Sequence, residues 1–187
     1  MAFYPYRREI RPSLDLSLGE HTDREYEKIE RAISSIIEQM TGWGAYYHTG
    51  TSQSLAASTK VTLTNNAGTI IDDHKPSDVP SFYDAGKITG REGDGIAVGI
   101  ELTFTPDNAT ASNLYMAIDI GGTVGEIYPK DFPITKGASV AHKISYNITA
   151  FTIDTWEANG GTVKIEADGP GVVTGVRYVI HRIHKAR

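Results

Sequence analysis

The most regular hydrophobic pattern in the chain lies in residues 22–40, TDREYEKIERAISSIIEQM. Its apolar positions are separated by alternating steps of three and four residues, the heptad repeat of a helix that buries one seam. The seam residues are Tyr26, Ile29, Ile33, Ile36 and Met40. Thr22 followed by Glu25 is a capping-box pattern, so the sequence predicts a helix that begins at Thr22 and ends before Gly42.

The isoleucines of this seam predict how many helices associate. Isoleucine at both kinds of core position favours three or four parallel helices over two. The seam therefore predicts a short trimeric stalk, roughly 28 Å long at 1.5 Å per residue. The alternative, which the sequence leaves open, is an amphipathic helix packed on the β domain of its own chain.

After Gly44 the pattern changes to short alternating segments separated by turn residues. In one of them Ile144, Tyr146, Ile148 and Ala150 fall on the same face of a strand. The predicted strands are 45–48, 60–64, 69–71, 96–104, 113–120, 142–151, 162–167 and 172–183, with weaker strands at 126–128 and 132–134. About eight short strands with turn residues between them predict a mainly β fold, a jelly-roll β-sandwich.

Two connections carry expectations of their own. Residues 72–95 are rich in Pro, Gly and Asp, and we expect a long surface connection there with a short strand near 87–89. Asn159-Gly160-Gly161 predicts a hairpin turn. It leads into a strand in which Val163 and Ile165 point inward.

The first 21 residues are predicted to form an extended arm. Pro5 and Pro12 are incompatible with a regular helix, and the residues from Leu14 to Leu18 alternate as in a single strand. Because such an arm cannot bury its own apolar groups, it either packs on the helix or docks on another protein by adding a strand or filling a groove, and we expect docking. The alternative is a tail without a binding partner. The candidate docking residues are Phe3, Tyr4, Tyr6, Arg7, Arg8, Arg11, Leu14, Leu16 and Leu18.

The predicted organisation therefore has three parts. Residues 1–21 form the docking arm, residues 22–41 the helix, and residues 42–187 the head. The fold is a jelly-roll β-sandwich preceded by an extended N-terminal arm and one short coiled-coil-like helix.

Composition excludes several classes of protein. The net charge is −5, whereas broad nucleic-acid binding needs a basic face. The chain has no cysteine, so neither disulfides nor thiol chemistry are expected. No stretch is apolar over the length needed to cross a membrane, and the first residues lack the apolar core of a secretory signal. We expect neither nucleic acid nor membrane as a partner.

Several short motifs suggest chemistry, and each has a simpler structural interpretation. Ile118–Thr123, IDIGGT, resembles the first phosphate motif of the actin and sugar-kinase superfamily, but it ends a strand in the middle of a short β-rich chain and Gly-Gly is a turn pair. Asp72-Asp73-His74 could ligate a metal, and Glu92-Gly93-Asp94 could hold calcium. Both lack a full ligand series, so we expect polar turns, and we expect no metal, cofactor or catalytic residue.

Other side chains suggest binding rather than catalysis. Tyr46, Tyr47, Tyr83, Tyr128 and Trp156 could stack on sugars if they are exposed, although large aromatics more often fill a core or an interface. The chain ends in a basic segment that we expect to be a solvated edge, with a polar contact near a trimer axis as the alternative. Its residues are His181, Arg182, His184, Lys185 and Arg187.

The chain resembles a known architecture in its order of elements. The segment 156–166, WEANGGTVKIE, followed by 178–183, YVIHRI, resembles the last hairpin and terminal strand of the trimeric jelly-roll heads of the tumour-necrosis-factor-like superfamily in bacteriophage virion proteins. The segment 25–33, EYEKIERAI, is similar to the helical connectors that precede such heads. The resemblance covers most of the chain and contains no catalytic signature.

This resemblance implies structural work in a virion. It implies a non-enzymatic, homotrimeric capsid cement or decoration protein on the outer surface of the capsid, docked on the major capsid protein through its arms. Arg7, Arg8 and Arg11 suit an acidic capsid surface, because guanidinium groups pair well with carboxylates. The alternative is a tail-fibre or tail-adaptor protein with a receptor- or saccharide-binding head, although a fibre usually needs more shaft than one such helix. A third alternative is a sugar- or phosphate-handling enzyme.

Overall fold

The computed structural model describes residues 18–135 and 137–186, and it is mainly β. A long helix, α1 (Leu18–Met40), precedes the β domain, and a short helix, α2 (Thr155–Asn159), lies within it. The strands of the described residues are β1 (Gly42–Tyr47), β2 (Gln53–Leu55), β3 (Val61–Thr62), β4 (Thr69–Ile71), β5 (Tyr83–Asp84), β6 (Lys87–Ile88), β7 (Gly95–Pro106), β8 (Asn113–Asp119), β9 (Glu126–Pro133), β10 (His142–Phe151), β11 (Thr162–Ala167) and β12 (Gly171–His184).

The strands form two principal antiparallel sheets. Sheet A has the order β10-β7-β12-β1-β4, with β2 also paired to β12, and sheet B has the order β3-β11-β8-β9. The pairings are nested along the chain: β1 pairs with β12, β3 with β11, β7 with β10, and β8 with β9. This nesting of first with last, shared between two packed sheets, is the jelly-roll arrangement, and it confirms the predicted fold class.

The core lies between the two sheets and follows the predicted alternation. Tyr146 and Ala150 are buried, and Ile144 and Ile148 on the same face of β10 pack against the core. In β11, Val163 and Ile165 are buried as expected, with exposed fractions of 2% and 0%.

Helix α1 begins four residues earlier than the capping-box pattern predicted. Thr22 and Glu25 lie inside the helix, so neither marks its start. Glu20 lies in the first turn, where a negative charge interacts favourably with the helix dipole. No proline between Leu18 and Thr22 prevents the earlier start.

The predicted hairpin at Asn159-Gly160-Gly161 is wrong. Strand β10 pairs with β7 in sheet A, whereas β11 pairs with β8 in sheet B, so the segment between them crosses from one sheet to the other. Gly160 instead ends α2 with a φ of 71°, and its N–H donates to the Trp156 carbonyl at 2.7 Å. An Asn-Gly-Gly sequence suits a helix end as well as a hairpin, because glycine adopts positive φ at little cost.

The connection over residues 72–95 is less superficial than its composition predicted. It contains the small hairpin of β5 and β6, of which only the second strand was expected. It also buries Val79, Phe82 and Tyr83, with exposed fractions of 3%, 1% and 5%. Three apolar side chains of a Pro- and Gly-rich segment therefore belong to the core.

Candidate functional site

The seam of α1 is the first candidate site, and part of it faces solvent. Tyr26 is 64% exposed and Ile33 is 51% exposed, while Ile29 is half-buried. The side chains of Ile36 and Met40 lie outside the described residues. The described part of the chain therefore leaves at least half of the Tyr26 and Ile33 side chains uncovered.

The predicted docking arm cannot be placed. Residues 1–17 lie outside the described part of the chain, so Phe3, Tyr4, Tyr6, Arg7, Arg8, Arg11, Leu14 and Leu16 have no described position. The backbone of Leu18 begins α1, and its side chain is likewise outside the description. The expectation that residues 18–21 are extended is wrong, because they are helical.

The outer face of sheet A brings residues from four strands into aligned rows. The rows follow from the register of β1, β12, β7 and β10. The first row is Trp43, His181, Ala97 and Thr149; the second is Ala45, Val179, Gly99 and Asn147; the third is Tyr47, Arg177, Glu101 and Ser145. Ala97 and Gly99 are the small residues of the first two rows, and above them lies a groove across the sheet with a volume of about 420 Å³.

Polar side chains line this groove on both sides. Arg177 Nη1 and Glu101 Oε2 are 3.2 Å apart, so the two charges neutralise each other. The guanidinium carbon of Arg177 lies 5.2 Å from the centre of the Tyr47 ring, within cation–π distance. On the opposite wall, Asn147 Nδ2 donates to Ser145 Oγ at 3.2 Å. No motif in the sequence indicated this groove, and its one signal was Gly99 in the middle of a strong strand.

The outer face of sheet B has a different character. Lys60 Nζ lies 2.8 Å from Glu126 Oε2, and the Tyr115 hydroxyl donates to the same oxygen at 2.8 Å. Partial burial acts to raise the pKa of Glu126, but the hydrogen bonds from Lys60 and Tyr115 outweigh it and hold that pKa below its usual value. Lys164 Nζ lies 3.6 Å from Asp119 Oδ2. This face carries charges that pair with one another, as a solvated surface does.

The basic C-terminal segment contains a buried cation, which corrects the prediction of a solvated edge. The Arg182 side chain is fully buried, and its guanidinium contacts Asp94 Oδ2 at 3.2 Å and Asp78 Oδ1 at 2.9 Å. Asp78 also lies 3.1 Å from Lys185 Nζ and 2.7 Å from Arg91 Nη1. By contrast His181 and His184 are exposed. These ion pairs fasten the end of β12 to the connection before β7.

The short motifs form turns. Asp119 Oδ1 accepts a hydrogen bond from the Gly121 N–H at 2.9 Å, and Gly121 and Gly122 have φ values of 71° and 59°. The His74 ring stacks on Trp43 with centroids 5.1 Å apart. Asp94, the last residue of the Glu92-Gly93-Asp94 motif, accepts a hydrogen bond from Arg182 Nη1 at 3.2 Å. Among the described residues, no three His, Cys, Asp or Glu side chains are grouped to hold a metal.

The candidate sugar-stacking aromatics divide between core and surface. Tyr46, Tyr83 and Trp156 are buried, so they cannot meet a ligand at the surface. Tyr47 is half-buried beside the groove, and Tyr128 is 43% exposed. In the part of the chain that the structure describes, no helix is long and apolar enough to cross a membrane.

Comparisons with known proteins yield distant structural likenesses. No protein family and no curated protein sequence match the chain. The PRD1 vertex protein P5 is similar over 78% of this chain and 73% of its own, with 15% identity and a TM-score of 0.43. Eiger TNF from S. frugiperda is similar over 78% of this chain and 96% of its own, with 8% identity and a TM-score of 0.47.

A third likeness is to the structure of the infectious bursal disease virus Gx strain. It covers 77% of this chain, with 14% identity and a TM-score of 0.43. This chain spans about a third of that viral chain, 32%. The jelly-roll assignment rests on the nested strand pairing rather than on these distant likenesses.

Proposed function

We propose that the protein is a non-enzymatic structural component of a bacteriophage virion. It acts as a homotrimeric cement or decoration protein on the outer surface of the capsid. Each copy docks on the major capsid protein through its N-terminal arm, and the trimer stabilises the shell.

The exposed seam of α1 is the observation that carries this proposal. A helix whose apolar residues served only its own domain would bury them there, yet Tyr26 and Ile33 are largely exposed. Exposed apolar residues at heptad spacing are satisfied when helices of several copies associate. The isoleucines of the seam favour association of three or four helices, and three copies suit the three-fold positions of a capsid.

The trimer also explains how a short arm could hold the protein on a shell. Three linked arms bind with a higher overall affinity than one, because the second and third contacts form at high effective concentration. Arg7, Arg8 and Arg11 provide each arm with cations that pair with surface carboxylates. The aromatic and leucine residues of the arm supply the apolar area that it would bury at a seam between capsid subunits.

The first experiment is the native mass of the purified chain in solution. A mass three times 20.4 kDa is the expected result. A monomer would contradict the trimer and would mean that another partner covers the α1 seam.

The second experiment tests docking on the shell. Capsids that lack the protein are expected to melt at a lower temperature than capsids to which it has been added. Reversing Arg7, Arg8 and Arg11 to Glu should abolish the gain, whereas reversing the exposed head residues Lys87, Lys130 and Lys143 should not. Equal loss in both variants would show that net charge, and not the arm, governs docking.

The groove on sheet A favours a second candidate function. A tail-fibre or tail-adaptor protein needs a head that binds a receptor or saccharide, and the groove offers uncharged polar groups in a concave surface. Unchanged capsid melting together with saccharide binding would favour this candidate.

A further inference from the structure

Gly99 lies at the floor of the groove, in the interior of the twelve-residue strand β7. Glycine weakens a strand interior, and it marks either a bulge or a place where something approaches the backbone closely. The register of β7 with β10 and β12 is unbroken at this residue, so there is no bulge. Gly99 also does not have positive φ, so the backbone conformation does not require glycine.

The position therefore uses glycine for the space that it leaves. A Cβ at Gly99 would lie 3.1 Å from Asn147 Oδ1 and 3.7 Å from the Val179 carbonyl oxygen. Any larger side chain would extend outward from there and fill the groove. Ala97, the neighbouring outward-facing residue of β7, is the next smallest choice.

The walls of the groove supply both hydrogen-bond donors and acceptors. Asn147 and Thr149 on β10 offer an amide and a hydroxyl, each of which can do both. His181 on β12 adds an imidazole. The groove also contains a guanidinium and a carboxylate, and these form the Arg177–Glu101 ion pair. The lining is thus rich in polar groups and carries no excess charge.

This chemistry points to a class of ligand. Phosphates and other anions need an uncompensated cation, and a cationic ligand needs the reverse. A neutral molecule with many hydroxyl groups can hydrogen-bond to these donors and acceptors, and it needs no unpaired charge in the site. Strand β1 places Tyr47 beside Arg177 and Trp43 beside His181 at the edge of the groove. One face of each ring is already covered, that of Tyr47 by Arg177 and that of Trp43 by His74, so the case for a sugar rests on the polar groups of the lining.

We infer that the groove on the outer face of sheet A binds a neutral saccharide. Its volume of about 420 Å³ lies within the ~300–1,000 Å³ of typical ligand sites. Asn147, Thr149 and His181 orient the hydroxyl groups, and the small residues Ala97 and Gly99 leave the space above β7 that a sugar enters, with the Asn147 amide lying against Gly99. The inference deepens the second candidate function by naming the class of saccharide, and it does not depend on the proposed capsid function.

The test uses the full chain and a printed array of neutral oligosaccharides. The array contains oligosaccharides of glucose, galactose, mannose, rhamnose and N-acetylglucosamine, and titration calorimetry then measures the strongest ligand. The unaltered chain is expected to bind, and Gly99→Val should abolish binding by filling the groove. Asn147→Ala should weaken binding by about tenfold, as expected for one lost hydrogen-bonding group.

Controls separate a lost site from a lost fold. Asn147 is exposed, so Asn147→Ala should leave the thermal midpoint unchanged, and it remains informative if Gly99→Val does not fold. Thr62→Ala, on the outer face of sheet B, should bind like the unaltered chain.

Three outcomes would overturn the inference. The first is no binding to any saccharide on the array, and the second is binding that Gly99→Val and Asn147→Ala both leave unchanged. The third is a smaller native mass for folded Gly99→Val than for the unaltered chain, which would show that the groove is a contact between copies and not a saccharide site. The native mass and capsid melting of the unaltered chain test the capsid function separately.

Discussion

Arg182 and Asp94 form an ion pair from which solvent is excluded on both sides. Their Nη1 and Oδ2 atoms are 3.2 Å apart, and their side chains are 0% and 1% exposed. The second oxygen of Asp94 accepts a hydrogen bond from the backbone N–H of Ala186 at 2.9 Å. The pair joins the last strand to the residue before β7, so it fixes the chain near its C-terminus.

Removing one member of this pair should strongly destabilise the protein. Arg182→Met keeps the apolar stem but leaves Asp94 as a buried charge without its cation. We expect the free energy of unfolding to fall by about 3–5 kcal/mol, measured by urea denaturation. Arg177→Met is the matched control on the same strand, because its pair with Glu101 is solvent-exposed, and it should cost only about 0–1 kcal/mol. Similar losses for both variants would contradict the importance of burial.

Asp78 should make stability depend on pH at the acid end. Partial burial acts to raise its pKa, but hydrogen bonds from Arg182 and Lys185 outweigh burial and hold the pKa below the ordinary value of 3.8. A carboxyl whose pKa is lower in the folded state contributes stability above its unfolded-state pKa. That contribution is lost as the pH falls through the folded-state pKa.

The Asp78→Asn variant provides the measurement. The difference in unfolding free energy between the unaltered chain and Asp78→Asn should be largest at neutral pH. It should shrink as the pH falls below about 4, where the carboxyl becomes protonated in the unfolded state first. A difference that stays constant from neutral pH to the acid limit would show that the charge of Asp78 contributes nothing.

The seam of α1 predicts a specific effect on association. Ile33→Asn should lower the fraction of trimer at a given concentration, because it places polar groups in an apolar layer between helices. Ser34→Asn is the matched control, since it introduces the same residue one position away, off the seam. Sedimentation equilibrium of both variants measures the effect. If Ile33→Asn associates as the unaltered chain does, the head alone determines the oligomeric state.

The hydroxyl of Tyr46 should stabilise the connection before β5. It accepts a hydrogen bond from the Phe82 N–H at 3.0 Å inside the core. Tyr46→Phe leaves that buried N–H without its acceptor, so we expect a loss of about 1–3 kcal/mol in unfolding free energy. Tyr47→Phe, the neighbouring half-buried residue, should change it by no more than about 0.5 kcal/mol. Chemical denaturation measures the unfolding free energy of both variants, and equal losses would contradict a stabilising role of the Tyr46 hydroxyl.

Local patterns in the sequence predicted most of the strands. Residues 144–150 of β10 alternate apolar and polar without interruption, and the predicted limits of β10 agree with the structure. The period of two holds because one face of each strand is buried in the core while the other is not. The strand β2 was missed, because its sequence QSL contains one apolar and no β-branched residue, whereas the equally short β4, TII, was predicted from its two isoleucines.

Features that depend on distant residues were not predictable in this way. The sequence around Arg182 resembles a solvated basic tail, and its partners Asp78 and Asp94 lie 104 and 88 positions away. The groove likewise depends on the register of strands that are far apart in the chain. The heptad spacing of the α1 seam was recognised from the sequence, but spacing alone does not determine which surface packs against the seam.

The position of β12 has a consequence for how the chain folds. This strand comes last in sequence, yet it lies in the middle of sheet A, paired with β1, β2 and β7. On a ribosome, β1 and β7 are therefore synthesised long before β12, the strand that separates them. Until β12 is made, each of them has one edge without a pairing strand. Such edges bind other chains readily, and pairings so distant in sequence form slowly. Synthesis of the last fourteen-residue strand is thus the step that closes the domain and ends its exposure to misassembly.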